Sequence, residues 1–304
     1  MVALIIIPAL IVLFFIFLYI LYYRTFHNSP RRHKKYSYNL NASDEHKAKL
    51  KQIRDDLRGA ECERIYIKNR KGKRLAARYY HIREGAPVAI VLHGYKGRAL
   101  SDPAGGFEIL RNMGINVLIP DHRAHGESHG RTITFGIKER LDCVDWVRYL
   151  NDRFSPTAIF LMGVSMGAAT ALMASGEQLP SNVKGVIADC GFSSPEKIIR
   201  KVIGVDMKLP QRLLFPFVRL AGMVYGRFDI CSYDAVKAVS RTNLPVLIIH
   251  GEADDFVPCE MAYEICRAGK CQLLTVPRAT HGMSYIFDTK GYTDTVTAFI
   301  NSII

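Results

Sequence analysis

Apolar and polar residues follow three different patterns along this chain. Residues 2–23 carry no charged side chain and are rich in Ile, Leu and Phe. Residues 25–51 are polar and basic, and residues 43–57 have the spacing of an amphipathic helix with Ser43 as a candidate N-cap. Beyond residue 61, short apolar runs alternate with helix-like stretches. The pattern therefore divides the chain into segments 1–23, 24–60 and 61–304.

The first segment has the length of a membrane-spanning helix. About 20 helical residues cross the roughly 30 Å hydrocarbon core of a bilayer. Pro8 is tolerated in such a helix, and Tyr22 and Tyr23 stand where an aromatic belt is expected. A cleaved signal peptide would need a basic start and a small-residue cleavage site, and this segment has neither. We therefore expect an uncleaved transmembrane anchor in residues 1–23.

Charge predicts how such an anchor would be oriented. Basic residues follow the apolar segment and none precedes it, so the positive-inside rule places the rest of the chain in the cytoplasm, at the cell membrane. A basic cluster next to the anchor would face anionic lipids; it consists of Arg24, Arg31, Arg32, His33, Lys34 and Lys35. The amphipathic helix of the linker is expected to lie beside the same membrane.

Net charge and cysteine spacing narrow the possible partners. The net charge of +13 is scattered and accompanies no nucleic-acid-binding motif, so no nucleic acid is expected. The seven cysteines are an odd number without CxxC spacing, which favours reduced thiols and gives no metal-site pattern. Neither a metal nor a cofactor is predicted.

The third segment has the pattern of an α/β protein. Residues 62–68 and 75–82 are β-like and read as an antiparallel hairpin. Continuous apolar strands separated by helices indicate a parallel sheet that is covered on both faces, with ligands at the carboxyl ends of its strands. The strands are expected at residues 88–92, 116–120, 158–162, 186–188, 247–249 and 273–276, and the helices at 103–113, 136–153, 166–176, 258–268 and 292–304.

Residues 192–241 interrupt this alternation. They contain Pro195, Pro210 and Pro216, include a helical piece at 213–225, and are too long for a connecting loop. We expect a small helical lid over the strand ends. The alternative is an ordinary crossover with one long helix, and the apolar side chains of the interval could also rest on lipid.

A Gly-x-Ser-x-Gly motif lies between one predicted strand and the small-residue helix that follows it. A strand that turns into a helix within about two residues crowds Ser165, and only small neighbours such as Gly163 and Gly167 fit beside it. The motif alone also occurs in plain loop turns. Its position between a strand and a helix predicts a nucleophile elbow that exposes the Ser165 hydroxyl.

A serine nucleophile needs a base, and the base needs an orienting carboxylate. Asp254 follows one predicted strand and His281 follows the last one, so the chain order is Ser165, Asp254, His281. Asp255 competes for the acid role, but the spacing to Val257-Pro258 favours Asp254. Five further histidines near strand ends are expected to have structural roles: His93, His122, His125, His129 and His250.

The oxyanion of the reaction needs two backbone N–H donors. One candidate is the amide of Met166, at the start of the helix after the nucleophile. The other is the amide of Tyr95, because Gly94 and Gly97 let the loop after the strand at 88–92 bend inward.

Five motifs together make the chain similar to the bacterial α/β-hydrolases of the serine-aminopeptidase-like or esterase-like kind, here with an N-terminal membrane anchor. They are His93-Gly94-Tyr95-Lys96-Gly97, Asp121-His122-Arg123-Ala124-His125-Gly126-Glu127-Ser128, Gly163-Val164-Ser165-Met166-Gly167, His250-Gly251-Glu252-Ala253-Asp254-Asp255-Phe256-Val257-Pro258 and Thr280-His281-Gly282. The resemblance implies a nucleophile at Ser165, an acid at Asp254, a base at His281 and oxyanion donors at Tyr95 and Met166. Ala124 departs from the family, which has glycine there.

These features predict a serine hydrolase that cleaves an ester or thioester near the membrane, with a small or lipid-like acyl substrate. A peptidase, an amidase or an acyltransferase could use the same acyl-enzyme. A peptidase that acts on a free N-terminus would need an acidic residue to hold the amine, and Glu127, Glu196 and Asp206 are candidates. The non-enzyme alternative is a catalytically idle, membrane-anchored binding protein.

Overall fold

The computed structural model describes residues 2–28 and 43–304. Most of the basic cluster, including Arg31 and Lys35, lies outside the described residues, as does the rest of the proposed linker between residues 29 and 42.

The described residues form helices and strands that alternate through most of the chain. The helices are α1 (Val2–Thr25), α2 (Asp44–Gly59), α3 (Ala104–Asn112), α4 (Glu139–Phe154), α5 (Met166–Ser175), α6 (Pro195–Lys201), α7 (Gln211–Ala221), α8 (Ala235–Val239), α9 (Glu260–Ala268), α10 (Ser284–Phe287) and α11 (Thr289–Asn301). The strands are β1 (Glu63–Lys68), β2 (Arg74–Tyr80), β3 (Val88–Leu92), β4 (Asn116–Asp121), β5 (Ile159–Val164), β6 (Val183–Asp189), β7 (Val246–Gly251) and β8 (Cys271–Val276). Short π-helical segments, Val202–Asp206 and Gly222–Gly226, extend α6 and α7.

The eight strands form one sheet in the order β1-β2-β4-β3-β5-β6-β7-β8. β2 pairs antiparallel with both β1 and β4, whereas the strands from β4 across to β8 pair in parallel. The predicted hairpin and the mostly parallel sheet are therefore confirmed, and each predicted strand and helix is found within three residues of its expected ends.

Helices cover both faces of the sheet. Apolar side chains of α2, α3, α10 and α11 pack on one face. Those of α4, α5, α8 and α9 pack on the other, where Trp146 is buried. Because both faces are covered, the central strands β3 and β5 are apolar throughout, as is typical of a parallel sheet.

α2 begins where the sequence predicts, but its apolar face is not free to contact a membrane. The Ser43 hydroxyl accepts a hydrogen bond from the His46 N–H at 3.2 Å and caps the helix. Leu50, Ile53 and Leu57 are buried in the core cluster on one sheet face. The apolar side of this helix therefore packs on the domain, and its expected place beside a membrane stays a prediction that its apolar face does not support.

Residues 192–241 form several short helices rather than one long crossover helix. Pro195 occupies the first turn of α6 and Pro210 precedes α7, so proline fixes two of the starts. The insertion packs on the side of α5 that includes Met166 and Ala169. It therefore lies against the helix that begins next to Ser165.

The insertion also packs against α1. The Phe217 ring of α7 meets Phe14 and Phe17 edge-on, and the Tyr225 hydroxyl donates a hydrogen bond to the Phe15 carbonyl at 2.9 Å. The side chains buried between α1 and the insertion are Leu18, Tyr22, Phe26, Phe215, Val218 and Ala221. The apolar helix is thus joined to the rest of the protein by the same segment that flanks Ser165.

Candidate active site

Ser165 lies on a sharp turn between β5, which ends at Val164, and α5, which begins at Met166. Its φ of 56° is in the left-handed region that L-residues rarely adopt. A Cβ on Gly163 would lie 2.3 Å from the Gly167 carbonyl carbon, and one on Gly167 would lie 2.1 Å from the Leu92 oxygen. Both glycines are therefore required for the close approach, as the motif predicts.

The three residues that chain order places together do meet at the carboxyl ends of the strands. His281, in the loop after β8, lies 2.9 Å from the Ser165 oxygen through Nε2 and 2.7 Å from the Asp254 carboxylate through Nδ1. The ring can donate its Nδ1–H to the carboxylate and accept the serine proton at Nε2. Asp255 is exposed, whereas the buried Asp254 is the carboxylate that contacts His281.

The Asp254 carboxylate is held in its charged form. Its Oδ1 accepts hydrogen bonds from the N–H groups of Phe256 and Val257, at 3.0 and 2.8 Å. Burial by itself would raise the pKa of this carboxyl, but hydrogen bonds from His250 and His281 outweigh burial and hold the pKa at about 2. The carboxylate therefore stays ionised at neutral pH and can orient His281.

His250 contacts Asp254, whereas the sequence predicts only a structural role for it in the loop. Its Nε2 lies 2.8 Å from the Val257 carbonyl oxygen and 3.4 Å from Asp254 Oδ2. Burial lowers the pKa of His250, but the hydrogen bond to Asp254 outweighs this and leaves the pKa raised. His250 precedes Asp254 by four residues at the end of β7, and this spacing is the sequence signal that could have predicted their contact.

The two candidate oxyanion donors lie on segments beside Ser165. Met166 is the first residue of α5, whose first N–H groups have no partner within the helix. A Cβ on Gly94 would lie 3.5 Å from the Ser165 Cβ, so the loop that carries Tyr95 passes next to the serine. Asp102 accepts the Gly94 N–H at 3.1 Å and fixes this loop.

A cavity of about 70 Å³ opens beside Ser165. α2, the loop after β3, the start of α3 and the loop of His281 surround it. Its polar side chains besides Ser165 and His281 include Arg54, Asp102 and Asp189. Insertion helices are absent from its lining, so the cavity lies on the α2 side of the serine.

Asp189 is a buried carboxyl at the end of β6 and faces this cavity. Its Oδ2 accepts a hydrogen bond from the Tyr292 hydroxyl at 3.2 Å, whereas its Oδ1 has no hydrogen-bond partner among the described residues. Burial raises the pKa of Asp189 to about 6. The side chain therefore changes charge just below neutral pH.

Three buried histidines form a cluster next to the site. The His93 Nδ1–H donates to the Gly94 carbonyl at 2.9 Å, so that Nε2 accepts the His122 N–H at 3.1 Å. Burial lowers the pKa of His122 well below its usual value and that of His125 to about 3. The His122 and His125 rings therefore stay neutral. The His93 and His125 rings hold loop backbone, since the His125 Nδ1–H donates to the Arg123 carbonyl at 2.9 Å, which agrees with the structural role expected from the sequence. His129, by contrast, is exposed.

Within the described chain, one group of three possible metal ligands lies close enough for one ion: Cys190, Asp254 and His281. Asp254 and His281 already bond to each other, and His281 bonds to Ser165. Burial raises the pKa of the Cys190 thiol well above its usual value, so the thiolate that a metal would need is disfavoured. The arrangement of these three side chains is better explained by hydrogen bonding to Ser165 than by binding of a metal ion.

The comparisons with known proteins agree with this architecture. Residues 87–219 match the family model of the alpha/beta hydrolase fold. The chain is 28% identical over 230 residues to the uncharacterized protein YqkD of Bacillus subtilis, covering 74% of this chain and 75% of YqkD. It is also 28% identical over 195 residues to the uncharacterized membrane protein YNL320W of Saccharomyces cerevisiae, covering 62% of each.

Among solved structures, the Pyrococcus furiosus esterase Pf2001 superposes with a TM-score of 0.70 at 23% identity, covering 92% of this chain and 98% of the esterase. At that identity the likeness concerns the fold. Together with the family match over residues 87–219 and the strand order, it shows that the chain has the α/β-hydrolase fold.

Proposed function

We propose that this protein is a serine hydrolase that cleaves an ester or thioester through an acyl-enzyme. The observation that supports the proposal most directly is the continuous pair of hydrogen bonds from Ser165 through His281 to Asp254. These two hydrogen bonds make a weakly nucleophilic hydroxyl reactive, because the imidazole accepts the serine proton during attack.

In this mechanism, Ser165 attacks the carbonyl carbon while His281 removes the serine proton. Asp254 keeps the imidazole in the required tautomer and stabilises its positive charge. The N–H groups of Tyr95 and Met166 donate to the oxyanion. His281 then protonates the leaving alcohol or thiol, and water repeats the sequence on the acyl group.

An ester or thioester fits the site better than a peptide with a free N-terminus. The acidic residues that could hold such an amine are each paired with a cation: Glu127 with Arg64, Glu196 with Arg200 and Asp206 with Lys201. None of the three lines the cavity beside Ser165. A peptide amine would have to displace an existing partner of these acids.

We also propose that α1 anchors the protein in the cell membrane, with the catalytic domain in the cytoplasm. Residues Ile5–Thr25 are long and apolar enough to cross a bilayer, and nearly all of their side chains up to Phe17 are exposed. The insertion carries a further set of exposed apolar side chains, here called the insertion patch: Val205, Met207, Leu209, Leu213, Phe217, Met223 and Val224.

The contact between α1 and α7 links these two apolar surfaces. An α-helix rises 1.5 Å per residue, so a core of about 30 Å that begins near residue 2 extends past Phe14, where the contact with Phe217 starts. An anchor that crosses the bilayer therefore draws part of the insertion into the lipid. The insertion patch would then lie at the membrane surface, close to lipid-like acyl substrates.

The test is labelling of the full chain with a fluorophosphonate probe, followed by turnover of p-nitrophenyl esters of graded chain length, acyl-thioesters and aminoacyl-anilides. Ser165→Ala should abolish labelling and lower kcat by up to about a millionfold. Asp254→Ala should lower kcat by about ten-thousandfold, whereas the matched variant Asp255→Ala should stay within about threefold.

Three results would count against the proposal. A wild-type protein that is not labelled and hydrolyses none of the substrates would favour the idle binding protein. Equal labelling of wild type and Ser165→Ala would place the nucleophile elsewhere. Preference for aminoacyl-anilides over all esters would favour a peptidase.

A further inference from the structure

Arg54 stands out among the basic residues of α2. Neighbouring cations on this helix have acidic partners at its surface, namely Lys47 with Asp44, and Lys51 and Arg58 with Asp55. Arg54 is partly buried, its Nε is shielded from solvent, and it has no hydrogen-bond partner or ion pair among the described residues. It also lines the cavity that contains Ser165.

The placement of Arg54 is costly for the fold. A charged group that loses water without gaining a partner destabilises the folded state. The effect of burial is seen in the pKa of Arg54, which is lowered, with Asp102 acting against the shift. Leu50, Ile53 and Leu57 already hold α2 on the domain, so packing does not require a guanidinium at this position.

The acidic groups of the cavity do not neutralise Arg54 through direct contact. Asp102 is not within ion-pair distance of the guanidinium, and its Oδ2 accepts the Gly94 N–H. Asp189 accepts the Tyr292 hydroxyl. Arg54 therefore lines a cavity that reaches the serine, and no acidic side chain of that cavity makes a hydrogen bond to it.

We propose that Arg54 binds a carboxylate or phosphate group of the substrate, and that the preferred substrates are acyl esters carrying such an anion. This inference rests on the proposed hydrolase function. A guanidinium presents parallel N–H donors that match the two oxygens of a carboxylate or phosphate. The cavity that Arg54 lines also contains Ser165, so an anion bound there can belong to the same ligand as the reacting ester.

The experiment compares matched pairs of esters with the full chain in detergent. In the first pair, mono-p-nitrophenyl suberate carries a carboxylate at the end of the acyl chain, and p-nitrophenyl octanoate is its neutral counterpart. In the second pair, 2-phosphoethyl octanoate carries a phosphate on the alcohol, and 2-hydroxyethyl octanoate is neutral. The two pairs distinguish an anion on the acyl half from one on the leaving group.

Arg54→Met should lower kcat/KM for one of the anionic esters roughly 10- to 100-fold, the range expected for a lost hydrogen bond to a charged group. The neutral esters should change by less than about twofold. Arg54→Lys should retain part of the preference because it keeps the charge but not the fork. Arg58→Met removes the same charge from the same helix, outside the cavity lining, and should leave the preference intact.

A wild type that hydrolyses neutral esters but prefers neither anionic ester would overturn the assignment while leaving the hydrolase function standing. Equal loss on charged and neutral esters in Arg54→Met would also overturn it, because that result indicates a structural role. If no ester is hydrolysed, the proposed function fails and binding decides the inference. Octyl phosphate or octanoate should then raise the melting temperature of wild type but not of Arg54→Met, and equal shifts would refute the anion site.

Discussion

Two helices lie outside the α/β core near the candidate active site, and they bury their apolar residues in opposite ways. α2 is amphipathic: its apolar residues Leu50, Ile53 and Leu57 are all buried against the sheet face. α1 is apolar on every side, and from Ile5 onward only its Leu18 and Tyr22 side chains are buried, against the insertion. Packing within the protein therefore accounts for the sequence of α2 but leaves most of α1 without a partner.

The same contrast continues into the site. On the α2 side of Ser165 the cavity wall carries Arg54, Asp102 and Asp189. On the insertion side, apolar residues such as Met166 and Phe192 pack around the start of α5. The charged side chains next to the serine thus lie on its α2 side, and the residues on its insertion side are apolar and buried.

The first prediction concerns the packing of α2. Leu57→Ala should lower the free energy of unfolding by about 2–5 kcal/mol, because the side chain is fully buried and its removal leaves a cavity. Leu10→Ala is the matched change on α1, where the side chain is 60% exposed, and it should cost little. Urea unfolding in detergent measures both. If the two variants lose equal free energy of unfolding, the side chain of Leu10 is packed against protein rather than exposed to detergent or lipid.

The second prediction concerns the polar side of the cavity. The pKa of Asp189 is raised to about 6, so the folded state favours its protonated form. Stability that depends on this proton is present at low pH and is lost as pH rises through about 6. Asp189→Asn mimics the protonated form, and its stability relative to wild type should increase by up to about 3 kcal/mol between pH 4 and pH 8.

The control for this pH dependence is Asp255→Asn, which removes an exposed carboxylate one residue from the candidate acid. Its stability relative to wild type should change much less over the same range. Thermal unfolding at each pH measures the difference in stability between Asp189→Asn and wild type. If this difference does not change with pH, the Asp189 carboxyl is not protonated more readily in the folded protein than in the unfolded chain.

Local sequence patterns predicted most of the fold and the meeting of the candidate residues. Apolar runs marked the strands, and the crowding at Ser165 explained Gly163 and Gly167 before their contacts were known. The long-range features could not be read in this way. Arg54 looks like any solvated arginine of an amphipathic helix, because the cavity that it lines is completed by the distant loop of His281. The contact of Phe217 with α1 likewise joins segments about 200 residues apart.

The last prediction has the smallest expected effect, and it concerns whether the insertion patch contacts lipid. Leu213 belongs to the insertion patch and is 68% exposed, whereas Ile304 is 66% exposed at the far end of the chain. Leu213→Asp should lower turnover of a long-chain ester embedded in vesicles roughly fivefold, because an ionised side chain resists insertion into the interface. Turnover of a soluble acetate ester should not change, and Ile304→Asp should affect neither substrate. If Leu213→Asp turns over both substrates normally, the insertion patch does not rest on lipid. The exposed apolar surface of α1 near the site would then need a partner other than the membrane.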